Sequence, residues 1–163
     1  MDKIISFALT EPNNGSDASG LKTTATKVEG GYLINGHKRW IGSATFADYI
    51  LVWAKNKDEA NNVQCFIVTK GSAGISMSKM ENKMAMRVNQ NGDFTMKDVF
   101  VPIHNKLTHA KNFATGTNAI LEKSRLGVAW MIAGIGAGAY EAALKYSLER
   151  KQFGKPIAQF QLT

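Results

Sequence analysis

The run Thr23-Thr24-Ala25-Thr26-Lys27-Val28-Glu29-Gly30-Gly31-Tyr32-Leu33-Ile34 sets the fold class. Thr23 to Val28 alternates in polarity, Gly30-Gly31 makes a turn, and Tyr32-Leu33-Ile34 returns. Period-two alternation broken by a glycine turn is the signature of an antiparallel hairpin. Asn35-Gly36 is a second turn signal, followed by Lys38 to Ile41. Further out, Tyr49 to Ala54 is a nearly continuous apolar run, as in a strand buried on both faces. Val63 to Thr69, Gly74 to Met80 and Asp93 to Val101 add further strands before Pro102. Short strands at such regular spacing over residues 5–103 predict a compact antiparallel barrel or sandwich.

The period changes after about residue 118. Leu126, Trp130, Ala133, Ala137, Tyr140, Leu144 and Leu148 recur every three or four residues, which places them on one face of a helix spanning about 118–152. Gly154 suits the position just past that helix, and Pro156 the first turn of another. The expected class is α+β: an antiparallel β-barrel-like domain over 1–105, a linker over 106–117, and the first helix of a C-terminal bundle within 118–163. One long helix and one started turn cannot bury their apolar faces alone. Their partners are expected from a longer polypeptide or another subunit.

Composition narrows the partners. The chain has 163 residues, 44% hydrophobic and 20% charged, which is the balance of a folded domain rather than a disordered one. No apolar stretch approaches the ~20 residues of a membrane span. Leu126 to Ala143 comes nearest but carries four glycines. The N-terminus lacks the basic-then-apolar pattern of a signal peptide. Cys65 is the only cysteine, so no intramolecular disulfide forms and a reducing compartment is expected. The net charge of +7 calls for an anionic partner. Its cations are scattered rather than striped, which argues against nucleic acid and for a polyphosphorylated small molecule.

The chemistry concentrates in Leu9-Thr10-Glu11-Pro12-Asn13-Asn14-Gly15-Ser16-Asp17. A strand delivers Thr10, Pro12 stiffens the exit, and Gly15 lets main chain approach a ligand. Ser16, Asp17 and the loop amides are then placed to bind polar oxygens. Other motifs read as structural. Gly134-Ile135-Gly136-Ala137-Gly138 has its third glycine misplaced for a dinucleotide fingerprint and reads as close helix packing. Met77, Met80, Met84, Met86 and Met96 read as gap-fillers, and Trp53 and Trp130 as core. His37, His104 and His109 have no partner at metal-ligand spacing.

Taken together, Thr10-Glu11-Pro12 with Gly15-Ser16-Asp17, then Ile34-Asn35-Gly36-His37-Lys38-Arg39-Trp40-Ile41, then Glu149-Arg150-Lys151-Gln152-Phe153-Gly154, resemble the acyl-CoA dehydrogenase/oxidase superfamily over about Phe7 to Leu162. Arg39-Trp40-Ile41-Gly42 and Thr45-Phe46-Ala47-Asp48 are most similar to plant peroxisomal short-chain acyl-CoA oxidases and to glutaryl-CoA dehydrogenase. The resemblance implies FAD as cofactor, an acyl-CoA substrate, and an internal segment of a homo-oligomer, dimer or tetramer. It also implies an intracellular location, peroxisomal or alternatively mitochondrial. In that resemblance Phe7, Leu9 and Thr10 line the flavin, with Thr10 hydrogen-bonding its edge. Gly15 and Ser16 touch flavin and acyl-CoA, Trp40 packs on the flavin, and Ile41 and Gly42 follow near N5. Arg150, Gln152, Phe153 and Gln161 embrace the FAD of a neighbouring subunit. Glu122 and Arg125 lie towards CoA.

The implied reaction is α,β-oxidation of the acyl thioester to a trans-2-enoyl-CoA, as in fatty-acid β-oxidation, with a glutamate as base. Ser124 stands where a minority of the family place that glutamate, and Glu122 is about 200° round a helix from it. The base is therefore expected outside this chain. Many dehydrogenases have a hydroxyl residue where this sequence has Gly42, and the plant oxidases have glycine. That implies an oxidase using oxygen, with two alternatives: a dehydrogenase passing electrons to an electron-transfer flavoprotein, or a truncated, non-catalytic flavin-binding or interaction protein.

Overall fold

The computed structural model describes residues 2–161, so Leu162, at the end of the resemblance, and the outermost residues of both predicted domains lie outside it. The chain forms two compact units that divide between Ala119 and Ile120.

The first unit is a curled half-barrel of seven strands: β1 Ile5–Ala8, β2 Thr24–Val28, β3 Gly31–Gly42, β4 Tyr49–Asn56, β5 Asn62–Thr69, β6 Ile75–Lys79 and β7 Asn91–Pro102. The predicted hairpin is β2–β3, paired from Thr24–Asn35 to Val28–Gly31, and its turn is Glu29-Gly30 with Gly30 at φ 75°. β3 pairs with β7, β7 with β6, and β4 with β5, all antiparallel. Two pairings are parallel: β1 with β4 at Ile5–Tyr49 through Ala8–Val52, and β2 with β4 at Thr24–Lys55 and Ala25–Asn56. β1 and β2 thus share one edge of β4, and residues 9–23 loop out between them.

Alternating side chains of these strands fill the curl. Ala8, Ala25, Ile34, Ile50, Val52, Phe66, Val68, Phe94, Met96, Val99 and Val101 are buried in one cluster. Trp53 is buried as predicted, stacked obliquely on Phe7 at 5.8 Å between ring centroids, and its indole N–H has no partner among the described residues. Met96 and Met77 do fill the core. Met84 and Met86 do not: they are 99% and 64% exposed in the segment between β6 and β7.

Asn35-Gly36 is not a turn. β3 runs through it, because the Asn35 side chain bonds both Asp98 N (2.9 Å) and Asp98 Oδ1 (2.9 Å) where β7 bulges. Gly36 is required by packing instead: a Cβ there would stand 2.3 Å from Thr23 Oγ1.

A π-helical turn, Ala114–Asn118, leads into α1, Ala119–Glu149. Trp130, Met131 and Ile132 are all exposed, and three consecutive residues sweep about 200°. The helix is apolar round most of its circumference rather than along one stripe, and Trp130, expected in a core, is 74% exposed. Ala114–Glu149 is also long and apolar enough, by length and composition, to cross a membrane, contrary to the sequence expectation. The figure behind this is the mean hydropathy of 1.2 over an 18-residue window inside the helix. Beyond α1 the expected helix end at Phe153-Gly154 is instead a tight hairpin. β8 Lys151–Gln152 pairs with β9 Lys155–Pro156, with Phe153 at φ 51° and Gly154 at φ 78°. Both central residues in the left-handed region define a two-residue hairpin turn. Pro156 precedes a single 3-10 turn, Ile157–Gln159.

Candidate functional site

The loop after β1 is fixed from beneath by a buried ion pair. Lys38 on β3 is fully buried, and its Nζ donates to Leu9 O (2.8 Å) and Glu11 Oε1 (3.1 Å). The Glu11 carboxylate also accepts from Lys22 N (2.6 Å), Thr23 N (2.9 Å) and Thr23 Oγ1 (2.5 Å). Burial pulls the Lys38 ammonium down to about 8, against the opposing pull of Glu11. Burial pushes the Glu11 carboxyl up, but the Thr23 hydroxyl, the Lys38 charge and the Lys22 and Thr23 amides outweigh it and hold the group below its ordinary value. Arg39 N then donates to Thr10 O at 2.9 Å. Both carbonyls of the Leu9-Thr10 segment are therefore held by β3. Sequence reading passes over Lys38, although it shares the inward parity of Ile34 and Gly36.

One bulge decides where the tryptophan points. Simple alternation from Ile34, Gly36 and Lys38 would turn Trp40 into the core and Ile41 out. Instead Lys38 pairs with Phe94 and Ile41 with Gly92, so Arg39 and Trp40 stand opposite Asp93 alone. An extra residue in one strand reverses the facing of the residues after it. Trp40 takes φ 64°, is 53% exposed, and has its carbonyl held by Asn91 Nδ2 at 3.0 Å. Ile41 becomes core at 2% exposed, so only its main chain can serve a ligand. On the solvent side, Asp93 contacts His37 Nε2 and, at 3.4 Å, Arg39 Nε.

The remaining predicted residues divide by unit. In the first, Phe7 and Thr10 are half-buried and Leu9 is buried. Gly15 is exposed with open space beside it, and Ser16 is exposed. Asp17 is not left for a ligand: its Oδ1 caps the 3-10 turn Ala18–Gly20 through Gly20 N at 3.1 Å. Gly42 accepts a 2.5 Å bond from Ser6 Oγ through its carbonyl, and a Cβ there would meet Asn89 Nδ2 at an ordinary 3.4 Å. In the second unit, Glu122, Ser124 and Arg125 are exposed in the first turns of α1, with Ser124 Oγ donating to Leu121 O. Arg150, Gln152, Phe153 and Gln161 lie exposed around the β8–β9 hairpin, with Phe153 93% exposed.

These features suit a flat aromatic cofactor with hydrogen-bond acceptors along one edge. The Leu9 and Thr10 amides, next to the core, donate to no other described residue. Main-chain donors in such a place are almost always paired. One residue after Arg39, whose N–H holds Thr10 O, the bulge presents an exposed indole, which offers a stacking face. In the second unit, taken by itself, Arg150 is exposed and offers a fork of donors of the kind that suits phosphate oxygens.

Residues 6–99 match the family description "Acyl-CoA dehydrogenase, middle domain", and residues 114–163 match "Acyl-CoA dehydrogenase, C-terminal domain". The chain is 42% identical over 161 residues to the caffeyl-CoA reductase-Etf complex subunit CarC of Acetobacterium woodii, covering 98% of this chain and 42% of that protein. Butyryl-CoA dehydrogenase from Megasphaera elsdenii superposes with a TM-score of 0.86 at 38% identity, covering 98% of this chain and 42% of the other. A glutaryl-CoA dehydrogenase from Mycobacterium smegmatis in complex with FADH2 superposes with a TM-score of 0.91 at 28% identity, covering 99% and 41%. The relatives named are dehydrogenases and a reductase subunit, not the plant oxidases expected from Gly42, and the chain spans about 42% of their length. On the strength of both matched domains, this chain belongs to the acyl-CoA dehydrogenase family.

Proposed function

We propose that this stretch is the flavin-facing part of an FAD-dependent acyl-CoA dehydrogenase that passes its electrons to an electron-transfer flavoprotein. Support for that acceptor comes from the named relatives, one of which is a subunit of an Etf complex. In this reading residues 1–105 form the middle domain, 106–117 the connection, and 118–163 the start of the helical bundle. The oxidase reading rests on Gly42. Its surroundings leave room for a small side chain, so glycine there is not imposed by packing.

The observation that carries the proposal is the β3 bulge, which turns Trp40 outward one residue after Arg39, whose N–H holds Thr10 O, while the Leu9 and Thr10 amides donate to no other described residue. FAD supplies, when bound, the two-electron acceptor for the acyl β-hydrogen. The chain's own residues position and shield. Leu9 and Thr10 hold the ring edge, Trp40 covers a face and excludes water, and Ser16 lies towards both flavin and substrate. Glu122 and Arg125 serve the CoA side. Arg150, Gln152, Phe153 and Gln161 serve the FAD of a neighbouring subunit in a homo-oligomer. The base that takes the α-proton belongs outside this stretch, since Ser124 occupies the one position here where the family sometimes places it.

The test uses the full-length protein. Butyryl-CoA added without oxygen should bleach a bound flavin, and an electron-transfer flavoprotein should restore its colour faster than air does. Stoichiometric peroxide in air, with no response to the flavoprotein, would return the reading to an oxidase.

A further inference from the structure

We infer that Lys38 tunes the flavin edge through the Leu9–Thr10 peptide: its buried ammonium polarises the Leu9 carbonyl and so strengthens the Thr10 N–H as a donor to the cofactor. This rests on the flavin reading above.

The geometry is a relay through one peptide plane. Lys38 Nζ donates to Leu9 O at 2.8 Å, and no peptide bond in the described chain is cis. In a trans peptide the N–H points opposite to the C=O, so Thr10 N–H is aimed away from the interior ammonium. That N–H donates to no other described residue. Hydrogen bonds in a chain polarise one another, by ~10–30% per bond, and a charged donor at the head strengthens the effect. The plane is also clamped at its next carbonyl by Arg39 N on Thr10 O, so the amide cannot swing.

A purely structural role explains less. A buried ion pair seldom stabilises a fold more than well-packed apolar residues of the same size. Loop anchoring is already provided by Lys22 N, Thr23 N and Thr23 Oγ1 on Glu11, none of which touches Leu9 O. Among the described residues only the ammonium reaches the Leu9 carbonyl, whose peptide carries an amide that donates to no other described residue. Lys38 is thus a positioning residue, acting on the cofactor through another group.

The experiment compares full-length, FAD-loaded wild type with Lys38→Met and with Lys38→Met/Glu11→Gln. The double variant leaves no unpaired buried charge and keeps the net charge unchanged, so it guards against simple misfolding. Flavin midpoint potential, visible spectrum and melting temperature are read together. Both variants should shift the oxidised-to-reduced ratio at a fixed poise about two- to threefold towards oxidised, the size of a modest weakening of one charged-relay hydrogen bond. A folded double variant with wild-type potential and spectrum overturns the inference. So does a shift confined to the single variant, which would trace to loop distortion. Loss of the folded β domain in both variants would make the pair a folding element and also overturn it. If wild type itself retains no FAD, the flavin reading falls instead, a result distinct from all of these.

Discussion

Gly36, Lys38 and Trp40 sit within five residues of one strand, and each does something a strand residue ordinarily does not. Gly36→Ala would drive a methyl to 2.3 Å from Thr23 Oγ1, itself bonded to Glu11. Overpacking of this kind costs ~1–3 kcal/mol. Urea unfolding should show a loss in that range, and an unchanged midpoint would mean that the loop is slack. Trp40 at φ 64° holds a left-handed conformation that costs a bulky residue roughly 1–2 kcal/mol. Trp40→Gly should therefore raise the melting temperature of the cofactor-free protein while weakening FAD retention. Both quantities falling together would make the indole an element of packing alone.

The Lys38–Glu11 pair sets a pH signature with a definite sign. Lys38 is lowered to about 8 from an ordinary 10.5, so between those values the unfolded chain holds the proton more tightly. Stability from this group rises as pH climbs through that window. Glu11 is held below its ordinary 4.5, so its contribution is complete above 4.5 and is lost as pH falls through the folded value. Wild type should thus gain on the Lys38→Met/Glu11→Gln variant from pH 8 to 10.5 and lose ground below 4.5. A difference that stays flat across both windows would sink this account.

At the scale of elements, the β8–β9 hairpin shows the same use of strain. Its turn needs two left-handed residues; Gly154 supplies one without cost, and Phe153 supplies the other against its preference. Phe153→Asn should stabilise the hairpin by ~1 kcal/mol in thermal melts of the full-length protein. If FAD dissociates faster from the same variant, the exposed ring serves binding rather than folding. An unaltered melting temperature would mean that the hairpin does not limit local stability. From sequence alone Gly154 reads as the end of α1, because glycine past a helix and glycine in a two-residue turn look alike without neighbours.

Considered whole, the chain carries more apolar surface than its described residues cover. Leu126, Trp130, Ile132, Ile135, Tyr140, Leu144 and Leu148 all lie exposed along α1. Burying each large apolar side chain is worth ~1.5–3 kcal/mol, so several together rival a domain's net stability of ~5–15 kcal/mol. Residues 1–163 expressed alone should self-associate, with a sedimentation mass above one chain that falls when Trp130 and Ile135 are replaced by Lys. A monodisperse monomer of full helicity would show that α1 needs no partner.

The elements and their order are legible in the residues alone: strand after strand to residue 102, then one long helix, with the loop motif at residues 9–17. Periodicity and turn chemistry are local, so a window along the chain contains them. Three motifs in the right order likewise carry the family. Facing and pairing came from the folded molecule instead. Alternation counted along β3 would have buried Trp40, and a single unpaired residue opposite Asp93 turns it outward. The parallel placement of β1 and β2 on one edge of β4, and the burial of Lys38 against Leu9 O, join residues far apart in the chain. Such contacts are set by the register of a partner strand, which no window along one strand contains.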